Sequence, residues 1–171
     1  VYWWLGRRRW QNAFLLVGSY YFYGCWDWRF TALLGASTVV DFIVGLRMVE
    51  ATAPTRRKSL LLVSMGANLG ILGFFKYYGF FVDSAVGLLA GLGLQPDIPV
   101  LNVILPVGIS FYTFQTMSYT IDIYRGRLEP TRDFWGFALF VSFFPQLVAG
   151  PIERARVLLP QILEPRRRTA Q

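Results

Sequence analysis

Three long stretches of this chain carry no charge at all. Residues 59–75, 98–121 and 134–152 contain no Asp, Glu, Lys or Arg and are mainly apolar. A run of about 18 or more such residues has the length and composition of a helix that crosses a bilayer. A water-soluble helix shows an apolar stripe instead of a saturated run. The chain is 54% apolar yet 16% charged, because the charges gather in short clusters between the runs. The pattern predicts an all-α protein, a polytopic transmembrane helical bundle placed in lipid.

Composition removes several kinds of chemistry. The net charge of +7 sits at the flanks of apolar runs, as membrane topology requires, so no nucleic-acid partner is expected. Cys25 is the single cysteine and there is no histidine, which excludes an intramolecular disulfide and any His- or Cys-based metal site. A Ser-His or Cys-His pair cannot be built either. No nucleotide-binding glycine loop of the GxxxxGK[ST] or GxGxxG kind is present. No bound metal or cofactor is expected.

Along the chain, Arg7, Arg8 and Arg9 precede an apolar run at 13–26, which Trp10, Gln11 and Asn12 extend toward the interface. The "DWR" at 27–29 is a tight connection, and 30–46 runs back with Asp41 inside it. Pro54 is expected to break any helix near the cluster Arg47, Arg56, Arg57 and Lys58. The span at 59–75 then leads through Lys76, Tyr77 and Tyr78 to a Gly-rich stretch, read as a short half-inserted helix and loop. The chain begins at Val1 without an initiator Met and stops in "EPRRRTAQ", so a piece of a longer protein, truncated at both ends, is expected.

Counting Lys and Arg loop by loop gives three, one, four, none and three, up to Arg132. That alternation fits a zigzag, with Arg7–Arg9, Arg56–Lys58 and Arg125–Arg132 on the cytoplasmic side. The rule then fails, because 134–152 is followed by Arg154, Arg156, Arg166, Arg167 and Arg168. One resolution is a broken, re-entrant helix that turns back near Pro145, Gln146, Gly150 and Pro151. The other is a full span with a proline kink. A break is tolerated at membrane depth only when buried in protein or lining a wet cavity. The first reading therefore turns the 145–151 stretch toward a cavity.

Polar residues inside the apolar runs are the other candidates. Asp41 is either functional or a helix-end residue paired with Arg47 or with a neighbouring helix. Tyr112, Gln115 and Tyr119, with Thr116, share one helical face at spacings of three, four and seven. They suit either a wet lining or hydrogen bonds between helices. Asp122 and Arg125 stand three apart and can pair at the helix end.

Three segments, "GFFKYYGFF", "ILPVGISFYTFQTMSYTIDIYRG" and "FVSFFPQLVAGPIERA", together resemble the membrane-bound O-acyltransferases. The likeness is to the bacterial branch that O-acetylates alginate, in the N-terminal third or so of such proteins. The resemblance implies polytopic helical enzymes that move an acyl group from a cytoplasmic thioester donor, acetyl-CoA or an acyl carrier protein, to a hydroxyl. The acceptor is implied to be an exported or cell-surface polysaccharide or a protein relay, with periplasmic or extracellular acetylation proteins as partners. It further implies a multi-pass protein of the cytoplasmic (inner) membrane, with funnels meeting at a thin floor and a catalytic histidine downstream of "AGPI". On that basis no catalytic residue is expected in these 171 residues, and the piece alone should be inactive.

Funnel-lining candidates are Tyr112, Gln115, Tyr119, Pro145, Gln146, Gly150 and Pro151. Arg125, Arg127, Arg154 and Arg156 either attract an anionic donor or simply record topology. Asp41 and Asp122 are structural polar candidates. A transporter or channel fragment is the competing reading, since broken helices also mark transport sites. A non-catalytic membrane scaffold is the third.

Overall fold

The computed structural model describes residues 7–93, 106, 108–150 and 153–164. Among these, every regular element is an α-helix: α1 Arg8–Trp26, α2 Trp28–Glu50, α3 Pro54–Gly91, α4 Ile109–Tyr124, α5 Phe134–Ser142, α6 Phe144–Ala149 and α7 Ala155–Leu163. The all-α expectation is met. Two of the helices, α2 and α3, are long and apolar enough to cross a membrane.

The helix ends follow from local chemistry. Asp27 alone separates α1 from α2, in an extended conformation. Its carboxylate accepts from the Arg29 backbone N–H at 2.9 Å and is gripped by the Arg29 guanidinium at 2.7–3.1 Å. That hydrogen bonding holds the Asp27 carboxyl below the usual carboxylate range. Pro54 opens α3 in its first turn, where the missing N–H removes no helical bond. At the end of α4, Gly126 takes φ +67° while the Arg127 N–H reaches back to the Asp122 carbonyl at 2.8 Å. This is a Schellman closure, which needs a left-handed residue that glycine supplies cheaply.

One sequence expectation changes here. The stretch after residue 75 does not form a separate half-inserted helix. It continues α3 to Gly91, giving 38 residues, or about 57 Å at 1.5 Å per residue. No proline interrupts α3 after its first turn, so its glycines are not enough to stop it. α7 is a helix on which the sequence reading made no assignment. Its buried positions Ala155, Leu159 and Ile162 recur at four and three residues, a single apolar stripe.

The order of the pairings gives the architecture. Ser64 and Asn68 of α3 meet Thr120 and Thr116 of α4 in reverse order, so those helices run antiparallel. Tyr119 and Gln115 of α4 meet Phe137 and Phe140 of α5, again in reverse. The core lies where α2, α4 and α5 converge, around Met48, Tyr119, Ile123, Phe137 and Phe140. Gly45 lets α2 approach there, because a Cβ would stand 2.9 Å from Tyr119 Cε1.

The surface is inverted relative to a protein built for water. Phe14, Val17, Tyr21, Trp28, Phe80, Phe81, Leu88 and Trp135 are exposed. Gln11, Asn12, Ser37, Asp41, Ser64, Asn68, Gln115 and Thr116 are buried. Water would reward the opposite arrangement, whereas hydrocarbon rewards this one.

Candidate functional site

The break in the last apolar run sits at Phe143, whose backbone is extended, between α5 and α6. Pro145 is not the breaking residue: it lies in the first turn of α6, where proline is tolerated. Breaking a helix frees carbonyls and N–H groups, and two are taken up by named side chains. Gln115 Nε2 donates to the Phe140 carbonyl at 2.7 Å. The Phe144 N–H reaches Ser19 Oγ of α1 at 3.5 Å. Gln115 also approaches Gln146 Oε1 at 3.5 Å, which ties α4 to α6. An unmatched polar backbone group in hydrocarbon costs several kcal/mol, so these partners make the break tolerable.

The chain then comes back. Leu147 in α6 lies against Gly108, at the start of α4. The Ala155 N–H reaches Ser118 Oγ, ten residues further along α4, at 3.4 Å. That is about 15 Å of helix, and the six steps from Ala149 to Ala155 can reach about 20 Å when extended. Gly150 and Arg154 are both extended. From Ser118, α7 passes over Gly136, where a Cβ would stand 2.7 Å from Leu163 Cδ2. Its far end reaches α1: Arg8 donates to the Leu163 carbonyl, and Asn12 Nδ2 donates to the Ile162 carbonyl at 3.0 Å. Arg8 also lies 3.6 Å from Asp133, the N-cap of α5. One side chain therefore touches both where this loop of chain starts and where it finishes.

A second cluster of polar groups joins α2, α3 and α4. Asp41 accepts from Ser64 Oγ at 2.5 Å and from Asn68 Nδ2 at 2.8 Å. Ser37 and Thr116 both donate to Asn68 Oδ1, at 2.9 and 3.1 Å, and Ser64 Oγ meets Thr120 Oγ1 at 3.1 Å. Of the pairings open to Asp41, the neighbouring helix is the one formed. Arg47 is exposed and sits 3.9 Å from Glu50 instead.

The remaining sequence candidates fall as follows. Tyr112, Gln115 and Tyr119 do share one face, and it is closed in by protein, with 2%, 1% and 0% exposure. Gln146 is buried, Gly150 is half-buried and Pro145 is exposed. Pro151 lies outside the described residues. The expected Asp122–Arg125 pair does not form among the described residues. Asp122 is buried with Oδ2 unpartnered, while Arg125, in the C-cap position, stays exposed. Arg57 of α3 takes the neighbouring role, donating to the Tyr124 carbonyl at 3.2 Å. Arg125 and Arg127 are exposed just beyond α4. Arg154 and Arg156 are exposed at the start of α7, beside Ser118, about 10 Å earlier along α4. The four arginines thus form two stations.

Residue reading missed Tyr23, Ser19, Ser64 and Asn68. The Tyr23 and Tyr112 hydroxyls are both buried without a partner, and Tyr23 Oη would lie 3.2 Å from a Cβ on Gly108. Ser19 with Tyr23, and Ser64 with Asn68, stand four apart within apolar runs. That spacing is the same signal that singled out Tyr112, Thr116 and Tyr119.

Comparison with known proteins places these features in context. The chain is 44% identical to a probable alginate O-acetylase of Pseudomonas putida over 92% of its length. It is 40% identical to the probable alginate O-acetylase of Pseudomonas aeruginosa, again over 92%. A peptidoglycan O-acetyltransferase of Helicobacter pylori is 34% identical over 88% of the chain. These matches cover 32%, 30% and 32% of the relatives, so the chain spans about a third of their length. No family model and no solved structure matches. The resemblance carried by the three motifs holds: over most of its length the chain is similar to probable alginate O-acetylases and to a peptidoglycan O-acetyltransferase.

Proposed function

We propose that this relative of the alginate O-acetylases forms part of a membrane-bound O-acyltransferase. It moves an acetyl group from a cytoplasmic thioester, acetyl-CoA or an acyl carrier protein, to a hydroxyl of an exported or cell-surface polysaccharide. The observation that carries this reading is a similarity of 34–44% to O-acetylases named for two different polysaccharides. Their shared element is O-acetylation, not the acceptor. Attack by a hydroxyl on a thioester carbonyl needs a base for the hydroxyl proton. With no histidine among these 171 residues, the base belongs to the rest of the protein on this reading.

The part played by this chain is then to hold a polar seam across a multi-pass bundle in the cytoplasmic membrane. The loop from Asp133 to Leu163 is taken as re-entrant, starting and finishing on the cytoplasmic side. Support comes from Arg8 touching both of its ends. The seam made by Tyr23, Tyr112, Gln115 and Gln146 borders the funnel floor. The two unpartnered phenols are donors suited to a carbonyl or hydroxyl passing through. Arg125, Arg127, Arg154 and Arg156 draw the anionic donor, and accessory acetylation proteins act beyond the opposite face.

The test uses the full-length protein in cells that lack their own O-acetylase. Ester-linked acetate on exported polysaccharide should appear with the wild type. Tyr23→Phe/Tyr112→Phe should reduce it at least tenfold at equal membrane abundance, a loss of about 1.4 kcal/mol in the barrier difference. No ester-linked acetate on any exported polysaccharide, with normal membrane abundance, overturns the proposal.

A further inference from the structure

Beside the α7 end, α1 and the start of α5 enclose a groove of about 820 Å³ that the acyl-transfer reading does not use. Arg8, Arg9 and Arg132 stand at its mouth, and half-buried Leu16 forms its floor with exposed Ala13 and Val17 beside it. A second, almost wholly apolar hollow of about 250 Å³ continues from it along Tyr20, Phe134 and Ala138. The two share Leu16, Val17 and Trp135, so they form one track with a basic end and an apolar length.

The charges at the mouth are unequally engaged. Arg8 is committed to Leu163 and Asp133. Asp133 is in turn occupied by the Gly136 N–H at 3.0 Å. Arg9 and Arg132 are exposed and have no ion-pair partner among the described residues. Asn12 is 6% exposed and forms the inner wall, with its Oδ1 unpartnered. The free chemistry at this end is therefore two guanidinium groups and one acceptor.

We propose that this track binds an anionic phospholipid. The phosphate sits between Arg9 and Arg132, a headgroup hydroxyl faces Asn12, and one acyl chain lies along Leu16, Val17, Tyr20 and Ala138. Length supports lipid over a soluble anion. Arg9 to Tyr20 is eleven residues, or about 16 Å of helix, close to the depth of one leaflet's hydrocarbon at about 15 Å. Trp135 at the mouth is the residue type that favours the headgroup level. Basic pockets between helices on the cytoplasmic side are suited to anionic headgroups. A lipid there fastens the returning loop to α1 at the point where Arg8 joins them. The inference rests on the chain lying in a membrane and not on acyl transfer.

The experiment is native mass spectrometry of the full-length protein in nanodiscs or mild detergent, with phosphatidylglycerol against phosphatidylcholine of the same acyl length. The wild type should retain phosphatidylglycerol preferentially. In Arg9→Gln/Arg132→Gln that preference should fall by about thirtyfold, the effect of two basic residues near an anionic phosphate. Arg9→Lys/Arg132→Lys should keep most of it. Leu16→Trp, which fills the floor, should lower retention of both lipids. Equal retention of the two lipids by the wild type overturns the proposal, as does a preference untouched in the glutamine variant. A track covered by the rest of the protein would give the first of these results. Because the readout is lipid retention, a failure of acetylation leaves it interpretable.

Discussion

Asp41 has no cation beside it among the described residues and is held by two neutral donors, Ser64 and Asn68. That carboxyl ties α2 to α3, and Ser64 and Asn68 carry the network on to Thr120 and Thr116 of α4. Asp41→Ala in the full-length protein removes one acceptor from each donor, leaving Ser64 Oγ only Thr120 Oγ1 and Asn68 Nδ2 only the Ser64 carbonyl. Each lost hydrogen bond is worth about 0.5–1.5 kcal/mol, so the variant's thermal midpoint in detergent should drop. Asp41→Asn keeps one acceptor oxygen and should drop less. Equal midpoints for wild type and Asp41→Ala would show that the network contributes nothing. Gly45 gives a complementary case. Gly45→Val drives a Cβ to 2.9 Å from Tyr119, and overpacking of that kind costs about 1–3 kcal/mol. Adding Tyr119→Leu should recover part of the loss.

Among the elements, α5 and α6 carry the sharpest consequence. Gln115 is the partner of the Phe140 carbonyl, so Gln115→Leu strands a buried acceptor at the break. Hydrogen exchange should then rise at 138–147 more than in α2, and an unchanged pattern would refute the role of Gln115. Much of this was legible in the sequence. Absence of charge over 134–152 gave an apolar segment. The arginines after it suggested that it returns. Spacing put Tyr112, Gln115 and Tyr119 on one face. Other features were hidden for physical reasons. The prolines drew attention to 145–151, but a proline in a helix's first turn opens a helix, and the break moved to Phe143. The extent of α3 was hidden because glycines weaken a helix by only about 1 kcal/mol each, less than burial or lipid can restore. The joining of Asp41 to Ser64 and Asn68 depends on which helices are neighbours, and no local pattern states that.

Among the described residues, large aromatic and aliphatic side chains lie outward as well as in the core, and amides, hydroxyls and a carboxylate are buried with that core. In a membrane, that outward apolar surface would meet lipid. The full-length protein should resist extraction by high salt or carbonate and should release only into detergent. The central structural claim is that the chain enters and leaves the apolar slab on one side between Asp133 and Leu163. Cys25 is exposed and free, so Cys25→Ser comes first, in a background without other accessible cysteines. Single cysteines at Arg132 and at Glu164 are then probed in intact cells and in inverted vesicles with a membrane-impermeant maleimide. Both positions should react only when the cytoplasmic face is presented; reaction of the two from opposite faces would contradict the returning loop and the seam built on it.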